Sequence, residues 1–320
     1  MLISILSFIA GLFILIKSAD YLVDGAGSIA KRYHVPSIAI GLTIVAFGTS
    51  APELIVNLLS AFRGSTDLAV GNILGSNLVN LMFILGVAAF IRPLRVRLTT
   101  VSREIPFMLL ASVMVLVLTA DIWLDGTVFN VLSRADGLTL LGFFGIFLFY
   151  TSIIARGGNE EGQQGIKTFP SWTSFVMVVG GLAGLALGGN FLVEGAVTIA
   201  KSLGVSEGLI GLTIVAIGTS LPELVTSISA VRKGMVDLAV GNVVGSNIFN
   251  IFFVLGVTSS LTPLPFSRAN VVDIVILVAV SLLFFASLVI DEKKTISRWK
   301  GIVLMGLYLA YLAYTVYVYV

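Results

Sequence analysis

Two glutamates draw attention through what surrounds them. Glu53 lies in GTSAPEL (48–54) and Glu223 in GTSLPEL (218–224), each a lone carboxylate in an otherwise apolar segment with Gly, Thr, Ser and Pro beside it. A charge in hydrocarbon costs several kcal/mol, roughly 2.5–3.5 for an acidic side chain on insertion scales. It needs a compensating partner, and a cation is the chemistry these residues fit. Pro52 and Pro222 lack an N–H and clash with the carbonyl four residues back, so the helix must break around Gly48-Thr49-Ser50 and Gly218-Thr219-Ser220. Such a break frees carbonyls from about Ala46 to Thr49 and from Ala216 to Thr219, at the partly negative end of a half-helix. Carboxylate, carbonyl and hydroxyl oxygens together suit a hard cation such as Ca²⁺, and two carboxylates neutralise one divalent ion. No His stands near either motif and the chain has no Cys, which disfavours a softer transition metal.

The same chemistry is written twice. At a fixed offset of 170, residues 40–87 and 210–257 are identical at 28 of 48 positions without a gap, which excludes coincidence. Each block continues into a second motif, GNILGSNLVN (71–80) or GNVVGSNIFN (241–250). Asn72, Ser76 and Asn80 fall at i, i+4 and i+8 and share one helix face, and Asn242, Ser246 and Asn250 repeat the stripe. Gly71 with Gly75, and Gly241 with Gly245, form small-xxx-small patterns that let helices approach closely. The repeat also reaches upstream, where ADYLVDGAGSIAK (19–31) matches GNFLVEGAVTIAK (189–201).

The elements that must position these residues are membrane helices. Hydrophobic residues make up 57% of the 320 residues and charged residues 11%, with a mean hydropathy of +1.06, outside the soluble globular range. Segments long enough to span a bilayer are predicted near 2–30, 36–62, 68–91, 104–121 and 136–155, then 172–200, 206–232, 237–261, 270–290 and 299–318. The expected fold is all-α and integral to the membrane. It has ten transmembrane helices in two five-helix repeats, residues 1–155 and 172–320, joined by a polar linker loop at 156–171 on the cytoplasmic side. Helices 2 and 7 are broken at the ion site. An odd number of spans per repeat inverts the second copy, the plan of many secondary transporters. The N-terminal MLISILSFIAGLFILI lacks a basic region and a convincing cleavage site, and reads as a retained helix. With the N-terminus outside, Lys and Arg sort 14 to 4 in favour of the inner loops, as the positive-inside rule requires of a multi-pass cell (inner or plasma) membrane protein. A net charge of +2 leaves no footprint for nucleic acid.

GTSAPEL, GTSLPEL, GNILGSNLVN and GNVVGSNIFN closely resemble the two signature repeats of the cation/calcium exchanger superfamily, and within it the prokaryotic sodium/calcium exchanger branch. The resemblance covers essentially the whole chain. It implies an antiporter rather than an enzyme, needing no cofactor and no ATP, with four clustered cation sites. Ca²⁺ would bind Glu53 and Glu223 with the carbonyls of Thr49 and Thr219. Na⁺ would use the same carboxylates with Ala46, Ser50, Ser76, Ala216, Ser220 and Ser246, while Asn80 and Asn250 line the middle. The branch exchanges three Na⁺ for one Ca²⁺ by alternating access. Some members carry Asp where Asn80 or Asn250 stands, and potassium-dependent relatives use such an Asp for K⁺. The amides here point to K⁺-independent exchange. Ca²⁺, Na⁺ and the lipid bilayer are the implied partners. No protein partner is implied, and a monomer would suffice.

The nearest rival is proton-coupled calcium exchange, although that branch has GN rather than GTS before its acidic motif. A cation channel also uses paired carboxylates and carbonyls, and counter-ion dependence separates it. An intramembrane enzyme has no Ser–Lys dyad, paired Asp or HExxH motif here. Plainer readings cover the other polar residues. Asn72, Asn77, Asn242 and Asn247 read as interhelical hydrogen bonders, and Asp67 and Asp237 as helix N-caps. Lys17 can pair with Asp20 at i+3, with Asp24 on the same helix and Glu194 on its repeat. His34 reads as solvated, and YLAYTVYVYV as an interfacial aromatic belt. The first helices of each half, near-parallel by repeat symmetry, are the candidate gate.

Overall fold

A computed structural model describes residues 2–124, 126–157, 167–203 and 216–319. The apolar runs become helices because in hydrocarbon a backbone must satisfy its own hydrogen bonds. They are α1 (Leu2–Arg32), α2 (Ser37–Thr49), α3 (Ala51–Phe62), α4 (Thr66–Ile91), α5 (Leu98–Leu118), α6 (Arg134–Arg156), α7 (Ser171–Ser202), α8 (Ala216–Thr219), α9 (Leu221–Arg232), α10 (Val236–Leu261), α11 (Arg268–Ile290) and α12 (Arg298–Tyr319). Local chemistry sets their ends. Gly64 and Gly234 take positive φ just beyond α3 and α9, and Ser133 with Asp136 and Ser267 with Asn270 form capping boxes that start α6 and α11. Among the described residues, eight helices are long and apolar enough to cross a membrane, and α2 with α3, bent by 42°, make a ninth. The counterpart of that bent pair is described only from Ala216, so the expected tenth span lies partly outside the described residues, as does much of the 156–171 linker.

The motif-bearing α4 and α10 run through the centre and are the most buried of the long helices. Helices α1 and α7 lie against each other along nearly their whole length. Their contacts run from Ser4 against Gly195, through Gly11 against Gly188, to Gly25 against Ser174. Numbers rise on one helix as they fall on the other, so the pair is antiparallel, not near-parallel. The reason is the inversion itself, because an axis in the membrane plane reverses the direction in which a helix crosses. A Cβ on Gly181 would fall 2.8 Å from the Leu22 nitrogen, which explains the glycine.

Two short antiparallel ribbons tie the periphery together. β1 (Leu94–Arg95) pairs with β4 (Thr295–Ile296), and β2 (Asn130–Leu132) with β3 (Leu264–Phe266). Because β1 and β3 are matching positions of the repeat, the ladders exchange partners between the copies, as a two-fold relation demands. The β1–β4 end also holds the Arg97–Asp237 ion pair (2.6 Å) and Lys233, so it gathers loops assigned to the basic side.

Several local expectations change. The N-caps of α4 and α10 are Ser65 and Met235, without side-chain bonds, whereas Asp67 and Asp237 sit inside the first turn. An acid there is favoured by the helix dipole, and Asp237 reaches sideways to Arg97. Lys17 does not pair with Asp20. Its ammonium lies 5.8 Å from the Phe13 ring centroid, while Asp20 turns to Lys233 and Ser229. Within the C-terminal aromatic stretch, Tyr311 donates to Asp273 at 3.0 Å, so that tyrosine is more than a belt residue.

Candidate cation site

The site forms where two helices break. Ser50 (φ −86, ψ 3) ends α2 and Pro52 opens α3, so the Gly48 carbonyl loses its usual donor. Ser220 (φ −87, ψ 4) and Pro222 repeat the geometry between α8 and α9. The breaks differ in detail. Ser50 N donates to the Ala46 carbonyl at 3.0 Å, but Ser220 N reaches back only three residues, to Ile217, at 3.1 Å. The Ala46 carbonyl also lies 3.3 Å from the Thr49 hydroxyl, sharing its one proton with Asn242, so it is engaged rather than freed by the break. Ala216 is the first described residue of α8. Each break leaves a glutamate in the first turn of the following half-helix, where the positive dipole end steadies a carboxylate.

The central helices bring the two motifs of opposite copies together. A Cβ on Gly245 would sit 2.8 Å from the Leu42 Cα, so glycine is what lets α10 lie on α2. Thr49 then donates to Asn242 Oδ1 at 3.2 Å, and Thr219 to Asn72 Oδ1 at 3.3 Å. Asn77 and Asn247 each donate to the other's main-chain oxygen at 3.3 Å. Asn242 uses its amide nitrogen on Ser227 Oγ (3.1 Å) and the Glu223 carbonyl (3.4 Å). These four asparagines are interhelical hydrogen bonders.

Glu53 and Glu223 are fully buried. Glu223 Oε1 accepts from Ser50 at 3.0 Å and from Ser246 at 3.4 Å. Glu53 has Ser76 and Thr219 beside it and Glu223 within electrostatic reach, yet neither of its carboxylate oxygens accepts a hydrogen bond from the described residues. Ser76 Oγ, Ser220 Oγ, Asn80 Oδ1 and Asn250 Oδ1 are buried and unpartnered too, while Asn250 donates to Asn77 at 3.0 Å. Buried polar atoms are nearly always paired. A set of unpaired acceptors around two carboxylates is therefore a place prepared for something that accepts lone pairs. Among the described residues no cluster of three or more His, Cys, Asp or Glu exists, so the remaining ligands must be neutral oxygens.

Two residues escaped the sequence reading. Asn57 donates to the Glu53 carbonyl at 3.0 Å, but the other copy has Ser227 there, so repetition gave no signal. Asn190 lines a cavity of about 570 Å³, open mouth included, beside Pro52, Val56, Val193, Thr219 and Pro222. Its repeat mate is Asp20, and the mismatch within a matched stretch was the available clue.

The whole sequence matches known proteins along these lines. The sodium/calcium exchanger protein family matches residues 3–153 and 173–317, one block around each copy of the motifs. The chain belongs to that family. The exchanger family comprises membrane transporters, not enzymes, and the match extends across the molecule. The chain is 36% identical to the inner membrane protein YrbG of Escherichia coli, covering 98% of this chain and 97% of that one. It is 31% identical to the sodium/calcium exchanger MaX1 of Methanosarcina acetivorans over 99% of both. The solved structure of the sodium-calcium exchanger NCX_Mj, soaked with 2.5 mM Na⁺ and 0.1 mM Ca²⁺, superimposes with a TM-score of 0.83 at 32% identity, covering 97% of each chain. The exchanger fold is therefore the all-helical membrane fold expected from the prokaryotic branch.

Proposed function

We propose that this exchanger moves Na⁺ and Ca²⁺ in opposite directions across the cell membrane by alternating access, three Na⁺ for one Ca²⁺. The observation that carries the reading is the pair of buried carboxylates among unpartnered neutral oxygens, with no Lys or Arg buried among the described residues. Ca²⁺ would take Glu53, Glu223 and the carbonyls of Thr49 and Thr219. Na⁺ would take the same carboxylates with Ser50, Ser76, Ser220, Ser246 and the carbonyls of Ala46 and Ala216, the Ala46 oxygen giving up its contact with the Thr49 hydroxyl to do so. Ca²⁺ balances the two negative charges, and three Na⁺ exceed them by one. Exchange is then electrogenic, with an inside-negative potential drawing Na⁺ in and Ca²⁺ out at about 2.3 kcal/mol per charge per 100 mV. Asn80 and Asn250 add neutral oxygens and no third charge, which supports independence from K⁺. Residues 1–155 and 172–320 act as inverted repeats about this site, with the N-terminus outside and the chain working as a monomer.

Radiolabelled Ca²⁺ uptake into proteoliposomes with imposed Na⁺, H⁺ or K⁺ gradients tests the reading. A Na⁺ gradient alone should drive uptake, and clamping the potential should change its rate. Uptake driven by H⁺ without Na⁺ would transfer the site to proton-coupled exchange, a second reading favoured by one observation, the Glu53 carboxylate left without a donor. Flux that ignores every counter-ion would make the protein a channel.

A further inference from the structure

The two mouths of the site are built from matching sequence and differ in structure. On one side, the 19–31 stretch of α1 packs along α9, and Leu22, Val23 and Ala26 are fully buried. On the other, the 189–201 stretch of α7 scarcely touches α3, Leu192 and Val193 are only partly buried, and the cavity beside Asn190 opens between the two helices. The sequences diverge where these helices would meet. Asp20, Asp24, Ser229 and Lys233 at the closed mouth correspond to Asn190, Glu194, Leu59 and Arg63 at the open one.

At the closed mouth Lys233 Nζ lies 2.7 Å from Asp24 Oδ1 and 3.5 Å from Asp20 Oδ1, and donates to the Asp20 main-chain oxygen at 2.7 Å. Ser229 Oγ donates to Asp20 Oδ1 at 2.5 Å. At the open mouth Asn190 carries no charge, Leu59 has no hydroxyl, and neither Glu194 nor Arg63 forms an ion pair among the described residues.

We propose that Asp20, Asp24, Ser229 and Lys233 form a latch that holds α1 on α9 and so decides through which mouth the cation site is reached at rest. The latch deepens the exchanger reading, which is what requires two mouths. Its position suits a contact that must open in every cycle. The Lys233 side chain keeps 27% of its surface exposed and Asp24 32%, so water screens the pair and stands ready to replace it. A fully dry pair would be far more costly to separate. Because α1 and α7 pack on each other throughout, a shift that lifts α1 from α9 carries α7 with it, toward α3.

The absence of Cys allows a direct test in permeabilised membranes, where a hydrophilic thiol reagent reaches both faces. The repeat mates Val23→Cys and Val193→Cys report the two mouths. With the latch intact, Val193→Cys should react and Val23→Cys should be protected. Adding Lys233→Ala should raise labelling of Val23→Cys about fivefold, the population shift that one partly exposed ion pair can carry. It should also slow Val193→Cys. Exchanging the charges, Lys233→Asp with Asp24→Lys, should restore protection. The mirror variant, Asn190→Asp with Leu59→Ser, installs the missing partners at the open mouth and should slow labelling of Val193→Cys. Unaltered protection of Val23→Cys in Lys233→Ala overturns the latch, as does a loss that the charge exchange fails to reverse or a mirror variant that labels like its parent. Labelling needs no transport, so a failed latch and a failed exchanger reading remain distinguishable.

Discussion

Glu53 and Glu223 occupy motifs that differ at one position of seven, yet the molecule treats them differently. Glu223 holds two hydroxyl donors, Ser50 from the opposite copy and Ser246 from the adjoining central helix, whereas Glu53 receives none among the described residues. Ser220, the mate of Ser50, leaves its hydroxyl unpartnered. The repeat thus decides which groups are present, and the packing of one copy on the other decides which are engaged. A carboxylate with two donors has part of its charge already answered, since hydrogen bonds to an ion are roughly twice as strong as neutral ones. Its twin depends more on the ion that arrives.

The strongest way to break this comparison is to remove either charge. Glu53→Gln and Glu223→Gln should each lower Ca²⁺ exchange by about 100-fold or more, because either leaves a divalent ion with one carboxylate at a buried position. Near-normal radiolabelled uptake by either variant would remove the cation assignment. A sharper probe follows from the donors. Ser50→Ala should weaken apparent Na⁺ affinity about tenfold, because it removes a proposed Na⁺ ligand and also the hydrogen bond to the Glu223 carboxylate, while Ser220→Ala removes a proposed ligand alone and should weaken it by about threefold. Equal effects in Na⁺ titrations of exchange would mean that the two carboxylates are alike in the working protein.

Smaller effects test the supports behind the glutamates. Asn242 holds Thr49, Ser227 and the Glu223 carbonyl, but the Asn72 nitrogen has no acceptor. Asn242→Ala should therefore cost about 2–3 kcal/mol of stability and Asn72→Ala about 1, compared by thermal unfolding in detergent at matched concentration. Smallest of all, Asn57→Ser makes the first copy resemble the second and should shift stability by less than about 1 kcal/mol. A large loss there would show that the Asn57 bond to the Glu53 carbonyl carries the first break.

Much of this was visible in the chain. Apolar runs of membrane length, a proline beside each glutamate and a 170-residue offset announced helices, breaks and a doubled site, because hydrocarbon tolerates so few alternatives. The finer arrangement was not. Ribbons of two or three residues are too short for a strand's alternation to show, so β1 to β4 gave no sign. An Asp near a helix start serves equally as cap or first-turn charge, and only the approach of Arg97 decides for Asp237. Asn57 lacks a repeat mate of its own kind. The unequal donors of Glu53 and Glu223 were invisible because the motifs that create them are nearly the same text.

The exchanged contacts also bear on how the protein is made. Thr49, Asn72 and Asn77 find their partners in Asn242, Thr219 and Asn247, between 147 and 193 residues away along the chain. At about 5–20 residues per second of synthesis, these groups wait in the bilayer for roughly seven to forty seconds before their partners exist. During that interval the hydrogen bonds that join the two copies are unmade, so α2 to α4 lack the contacts that fix them in the finished protein. A ribosome that stops after α6 leaves behind a fragment with an unanswered carboxylate, which cellular quality control should remove rather than tolerate as half a transporter.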